Sequence, residues 1–291
     1  MQKIILLSLA LTASARLIAQ LYVVEHFSYP DGALVGAADS PWLHHSGTSG
    51  TLRVSGGGAY LRQAVESAST SEDAHVPLIW NGQALNLGPD GDGINDNNCL
   101  FAAFTTTFSA LPGGKNNGQN IGSYFGAFRG GSSYYGQIGA SVMNAAAGSF
   151  RLGVASLQWS QYAKWFPRDL TLGTTYRVVS SFNLDTQQTT LWIDPESAAS
   201  PSVAFTPDAT VKLTPVDAFA LRQGTTSFPG GVLGWPGDTL VDDLRVGRTF
   251  AEVISPVPEP RAWALLFGLG LVIFGLGQRR RRGRDSVRGP A

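Results

Sequence analysis

Apolar and polar residues alternate in short runs along most of the chain, with a period of two. The clearest stretch is TTYRVVSSFNLDTQQTTLWIDP, Thr174–Pro195. There Tyr176, Val178, Ser180 and Phe182 share one face, and Arg177, Val179 and Ser181 share the other. Leu191 and Ile193 fall together, with Trp192 opposite. The polar run Asp185–Gln188 predicts the turn of a β-hairpin. Similar runs occur at Leu52–Val54, Leu100–Phe108, Tyr124–Phe128, Phe150–Val154, Ala218–Arg222 and Leu240–Val246, most of them bounded by Gly, Pro, Asn, Asp or Ser. In the last run the alternation places Leu240, Asp242, Leu244 and Val246 on one face, with Asp243 and Arg245 on the other. No long amphipathic helix is visible. The pattern predicts an all-β, two-sheet antiparallel sandwich over residues 21–254. Gly113–Gly122 reads as a long flexible loop, and Gly130–Gly139 is another Gly- and Tyr-rich stretch; both are expected to line one edge of the sandwich.

The two ends break this pattern. Lys3 precedes a mostly apolar run, Ile4–Ala13, and then small residues, the three-part layout of a secretory signal. Residues 1–19 are expected to form that signal helix, with cleavage after Ala15 or Ala19. Near the other end, Val257, Pro258, Glu259 and Pro260 lie in a Pro-rich linker, residues 255–261. A continuous apolar run follows and predicts a transmembrane helix over 262–278; its 16 residues Ala262–Gly277 would be about 24 Å long as a helix. That is slightly short for a core of about 30 Å, a gap that flanking arginines close by snorkelling. Arg279, Arg280, Arg281 and Arg282 begin a basic tail, 279–291, that the positive-inside rule holds in the cytoplasm.

Charge sharpens this division. The chain has 21 basic and 21 acidic residues, but residues 21–256 hold 12 basic and 19 acidic ones, a net charge of −7 (12 − 19). An acidic body lacks the clustered cations that phosphate contacts need, so no nucleic-acid partner is expected. The lone cysteine, Cys99, excludes an intramolecular disulfide and a thiolate metal cluster.

The sequence VPEP, the apolar helix and the basic cluster, in that order, resemble the PEP-CTERM sorting signal of bacterial exported proteins. The resemblance implies an exosortase-like processing enzyme as partner. It also implies an inner-membrane intermediate held by the C-terminal helix, then delivery to the cell surface or matrix. The segments EHFSYPDGALVG, TSGTLRVSGG, FTTTFSALP, GSFRLGVAS, FPRDLTLGTTYRVV, TTLWIDP and VDDLRVGRTFAEV resemble concanavalin-like, laminin-G-like jelly-roll domains. That resemblance implies the fold more than any activity.

Candidate chemistry is sparse. His44 and His45 are adjacent, so on a strand they face opposite ways and make poor co-ligands. The E-x-D-x-x-E pattern of jelly-roll glycan hydrolases is absent, as is a G-x-S-x-G elbow. In GPDGDGINDNN, Asp90, Asp92 and Asp96 occupy positions three, five and nine of an EF-hand-like calcium loop, with Gly93 at the sharp turn. Gly88 and Cys99 stand where the first and twelfth ligands belong. A Ca²⁺ site here would therefore be weak, and a solvated turn is the competing reading. Trp42, Trp80, Trp159, Trp165 and Trp235 are candidates for stacking on sugar rings. The main expectation is a non-enzymatic exported surface or matrix protein. The alternative is a carbohydrate-binding module, with or without calcium, acting on extracellular polysaccharide.

Overall fold

The computed structural model describes residues 21–62, 71–90, 98–113, 115–116, 119–120, 122–157, 159, 163–228 and 232–255. The expected signal helix, the VPEP motif, the transmembrane helix, Arg279–Arg282, Asp92 and Asp96 lie outside the described residues. No helix among the described residues is long and apolar enough to cross a membrane.

The Thr174–Pro195 pattern becomes the expected hairpin: Thr175–Asn183 pairs antiparallel with Thr189–Ile193, Val178 opposite Ile193 and Phe182 opposite Thr189. Asn183 Oδ1 closes the turn by accepting the amides of Asp185 and Thr186 at 2.9 and 2.7 Å. This hairpin belongs to a nine-stranded sheet. Its strands run in the order Ser202–Phe205, Thr189–Ile193, Thr175–Asn183, Cys99–Phe108, Thr239–Gly247, Gly58–Leu61, Arg53–Ser55, Gly32–Ala33. Leu21–Glu25 also pairs with Thr239–Gly247. A second, eight-stranded sheet runs Lys164–Trp165, Ser149–Ala155, Ser133–Ser141, Ser123–Gly130, Ala218–Arg222, Glu72–Pro77, Leu43–Gly47, with Leu170–Thr171 against Ser149–Ala155.

Among the described residues all strand pairings are antiparallel, and the two sheets bury their apolar faces against one another. Phe104 meets Phe125 at 6.1 Å, Phe182 meets Phe128 at 6.3 Å and Tyr135 at 5.7 Å, each pair reaching from one sheet to the other. Each fully buried Phe contributes about 1.5–3 kcal/mol by leaving water. The expected all-β antiparallel sandwich is therefore present in the described residues.

Three local expectations are corrected. In Thr239–Gly247 the core-facing residues are Val241, Leu244 and Val246, not Leu240 and Asp242. Asp243 adopts φ +51° and the register against Cys99–Phe108 shifts between Asp242 and Arg245. This β-bulge inserts one residue and flips the alternation. The second correction concerns Gly130–Gly139, most of which is a central strand of the second sheet, Ser133–Ser141. The third concerns Gly113–Gly122, which contains the short pair Lys115–Asn116 and Gln119–Asn120.

One short helix, Phe250–Ile254, packs on the outer face of the first sheet. A capping box starts it: Glu252 Oε2 accepts the Thr249 amide at 3.0 Å while Thr249 Oγ1 accepts the Glu252 amide at 3.3 Å. Its Phe250 lies 5.2 Å from Trp192, which explains the Trp facing away from the sandwich core.

Candidate functional site

The second sheet has an outer face as well as a core face, and the strand period decides what it shows. In Glu72–Pro77, Ala74 and Val76 join the core, so Asp73, His75 and Pro77 face outward. In Ala218–Arg222, Phe219 and Leu221 join the core, leaving Ala218, Ala220 and Arg222 outside. Cross-strand pairs continue the face through Tyr124, Ala127 and Arg129 to Tyr134, Gln137 and Gly139, then to Gly153 and Ala155. Small residues thus form the floor, and large polar or aromatic ones stand on it.

The glycines have a specific reason here. A Cβ on Gly139 would lie 2.4 Å from the Trp159 ring and 2.3 Å from the Ser123 carbonyl oxygen. One on Gly153 would lie 2.7 Å from the Trp165 ring. Both tryptophans rest on glycine, edge to face with each other at 5.3 Å. Tyr124 links them to the rest of the face, 6.3 Å from Trp159 and 5.9 Å from Tyr134. The Arg222 guanidinium sits over the Tyr124 ring at 4.5 Å. His45 completes the far side, 5.6 Å from Tyr134 and 6.0 Å from His75.

Polar contacts tie these groups down. Asp73 Oδ2 accepts from Ser46 Oγ at 3.0 Å, Arg222 Nε at 3.3 Å and the Tyr134 hydroxyl at 3.4 Å. Arg129 Nη1 holds Asp217 at 3.2 Å. Gln137 Nε2 donates to the carbonyls of Tyr134 and Leu157. Among the described residues, Asp73 Oδ1, His75 Nδ1, Arg129 Nε, Gln137 Oε1 and Trp159 Nε1 are buried without a protein partner. Such groups cost free energy unless something hydrogen-bonds to them. Between His75, Arg129, Asp217 and the Ala84–Asn86 segment lies an open depression of about 200 Å³.

The same surroundings set the ionisation. Burial, then the positive charge of Arg129, then His45 bring His75 down to about 4. Burial and Arg129 also lower His45. Burial and the Asp73 carboxylate push the Tyr134 phenol far up. Near neutral pH the two imidazoles are uncharged and Tyr134 is a hydrogen-bond donor.

The expected site residues fare unevenly. Trp159 and Trp165 reach this face. Trp42 is in the core, stacked on Phe27 at 5.8 Å, while Trp80 packs on Tyr22 at 6.4 Å. Trp235 lies against Gly113. His44 and His45 do point apart: His44 pairs with the fully buried Glu72 at 3.0 Å, whereas His45 joins the aromatic face. Asp90 is exposed, and its amide donates to Asp185 at 3.2 Å. Among the described residues no three His, Cys, Asp or Glu side chains gather as a metal site. Sequence reasoning missed Asp73, His75, Arg129, Tyr134 and Gln137. The available signal was the alternation Asp73–Ala74–His75–Val76, polar out and apolar in.

No protein-family model matches the chain, and no curated protein does. Solved structures do. A variant of alginate lyase Aly36B in complex with alginate tetrasaccharide matches at 13% identity and TM-score 0.46, over 80% of this chain and 98% of that one. The PL7 alginate lyase AlyA1 from Zobellia galactanivorans matches at 14% and 0.40, over 78% and 95%. The CBM2 module of the evolved Dit of Lactobacillus casei BL23 phage J-1 matches at 12% and 0.40, over 78% and 94%. The expectation of a non-enzymatic surface or matrix protein is corrected at this point, because the similar structures are mainly alginate lyases together with carbohydrate-binding modules.

Proposed function

We propose that this sandwich is of the jelly-roll type and binds a polysaccharide along the outer face of its second sheet. One observation carries the reading. His45, Tyr134 and Trp165 stand half-buried on a single face, over a floor of Gly and Ala, together with the open depression beside His75, Arg129 and Asp217. Aromatic rings stack on the C–H faces of sugars, and the polar lining of the depression meets their hydroxyls. The polysaccharide-directed names among the similar structures agree with this ligand class.

The ends belong to the proposal as well. Residues 1–19 direct export, 255–261 present the VPEP motif, 262–278 span the inner membrane and 279–291 stay cytoplasmic until an exosortase-like enzyme acts. The ligand would then be met outside the cell. Mass spectrometry of the native protein tests this part, with a mature C-terminus near Pro260 as the expected result; an intact Arg279–Arg282 cluster on the mature protein overturns the processing step.

Binding is tested by affinity electrophoresis against a panel of polysaccharides, comparing the unaltered chain with Trp165→Ala and Tyr134→Ala. Retardation by at least one polysaccharide, weakened tenfold or more in both variants, is expected. Retardation by none, or variants that bind like the unaltered chain, removes the proposal.

A further inference from the structure

We infer that an open pocket between the ends of the two sheets binds a small apolar ring carrying an amine, at a site separate from the depression beside His75. The edge strand of the first sheet, Ser202–Phe205, runs close to Ser149–Ala155 of the second. Just past the ends of these strands, Leu157, Phe205, Pro207, Ala209 and Val211 form apolar walls around a volume of about 190 Å³. A cavity of about 150 Å³ accepts a benzene ring, so this one has room for a six-membered ring and one substituent. None of these residues lines the depression beside His75.

The outer wall is fastened in place. Residues 206–211 form an irregular arch tied at both ends. Gln188 Nε2 donates to Thr206 Oγ1 at 2.7 Å. Gln187 Oε1 accepts the Val211 amide at 3.1 Å, and Gln187 Nε2 donates to the Val211 carbonyl. Gln187 is 1% exposed and sits at φ +57°, a left-handed conformation that an L-residue keeps only when its surroundings hold it. A buried, strained residue thus gives both ends of its side-chain amide to one surface segment. The arch is held away from Leu157 and Phe205, and Val211 stays 51% exposed at the mouth. Apolar walls kept open to water gain free energy when an apolar group covers them.

Charge decides the substituent. Asp208 is the charged residue lining the pocket; it is exposed and has no ionic partner among the described residues. Lys212 follows Val211 in the chain but does not line the pocket. Residues 21–256 carry a net charge of −7 (12 − 19), so the wider field has the same sign as Asp208. Both attract a cation and repel a carboxylate or phosphate. An exposed carboxylate is screened by solvent and salt, so it supplies selectivity while the apolar walls supply most of the affinity. A ring with hydroxyls on every carbon fits poorly, because those turned toward Leu157, Phe205 and Val211 would lose their water partners.

The test is saturation-transfer NMR titration of the full chain in phosphatidylcholine nanodiscs, with empty discs as the blank. The probes are benzylamine, benzyl alcohol, benzoate and glucosamine at pH 7. Benzylamine should bind saturably, about threefold tighter than benzyl alcohol at about 50 mM salt, with the gap closing at about 500 mM. Benzoate and glucosamine should bind more weakly than benzyl alcohol. Asp208→Asn, a surface change, should bring benzylamine down to the affinity of benzyl alcohol, and Ala209→Leu should fill the pocket and weaken both. No saturable benzylamine binding, benzoate binding as tightly as benzylamine, or an unchanged preference in Asp208→Asn overturns the inference. Glucosamine binding as tightly as benzylamine overturns it too, since apolar walls would then not be what selects. Each of these results leaves polysaccharide binding at the second sheet to its own test with Trp165→Ala and Tyr134→Ala.

Discussion

Replacing Glu25 by alanine should cost the sandwich a large part of its stability. Glu25 is 4% exposed, yet its carboxylate is fully engaged. Oε1 accepts the Phe27 amide at 2.6 Å, and Oε2 accepts the Tyr29 hydroxyl at 2.7 Å and Trp42 Nε1 at 3.0 Å. Phe27 and Trp42 are themselves buried, so the alanine variant strands at least two donors out of reach of water. Each stranded donor costs about 1–3 kcal/mol, and relief of the buried carboxylate returns only part of that. Phe27 also sits at φ +47°, a conformation an L-residue keeps only when its surroundings hold it. Together these give a loss of about 4 kcal/mol, against a typical total of about 5–15. Urea unfolding followed by tryptophan fluorescence reads it as a lower midpoint at unchanged m-value. Glu25→Gln, which keeps the shape and one acceptor, should lose about half as much. A loss below about 1 kcal/mol for the alanine variant would refute the reasoning, since three short hydrogen bonds would then be worth less than one ordinary exposed contact.

Further expectations follow from other positions. Gly139→Ala should lower stability by about 2 kcal/mol and move Trp159 off the sheet, because its Cβ meets the Ser123 carbonyl at 2.3 Å; chemical denaturation and the change in tryptophan emission check it. Stability should fall as pH drops from 6.5 toward 4, because His75 in the unfolded chain takes up a proton before the folded one does; the slope should flatten in His75→Asn, and an identical slope in both proteins would exclude His75 as the cause. Phe182→Ala should cost about 3–5 kcal/mol in the same urea assay, since its ring bridges Phe128 and Tyr135 across the sandwich.

Much of the fold was legible because strands with one buried face advertise it by strict alternation. The Tyr176–Phe182 run gave both its inner face and its partner strand. Legibility failed where geometry departs from that rule. At Asp243 a single left-handed residue reverses the faces of everything after it, and nothing in TLVDDLRVG marks which residue bulges. In Gly130–Gly139 the glycines that resemble loop punctuation are there to make room. Gly136 lies against Phe128 and Phe182, and Gly139 lies under Trp159. The candidate site was hidden for a related reason. Its residues are scattered from His45 to Arg222, and only the strand order brings Asp73, Arg222, Tyr124 and Tyr134 side by side. No short motif encodes that neighbourhood. Nothing in the EHFSYPDG segment marks Glu25 as the acceptor that holds the Phe27 amide, the Tyr29 hydroxyl and Trp42 Nε1, because Trp42 is 17 residues away along the chain.

The pairing of Leu21–Glu25 with Thr239–Gly247 fixes how the sandwich responds to tension. Leu21 stands opposite Gly247, so the strand leading in and the strand leading out start from the same corner. Force applied at the two termini must first peel away the short helix Phe250–Ile254 and then part that seam one rung at a time, like a zip, instead of shearing all its rungs together. A protein tethered by both ends would yield at this corner under low load, with the opposite sheet and its outer face still intact.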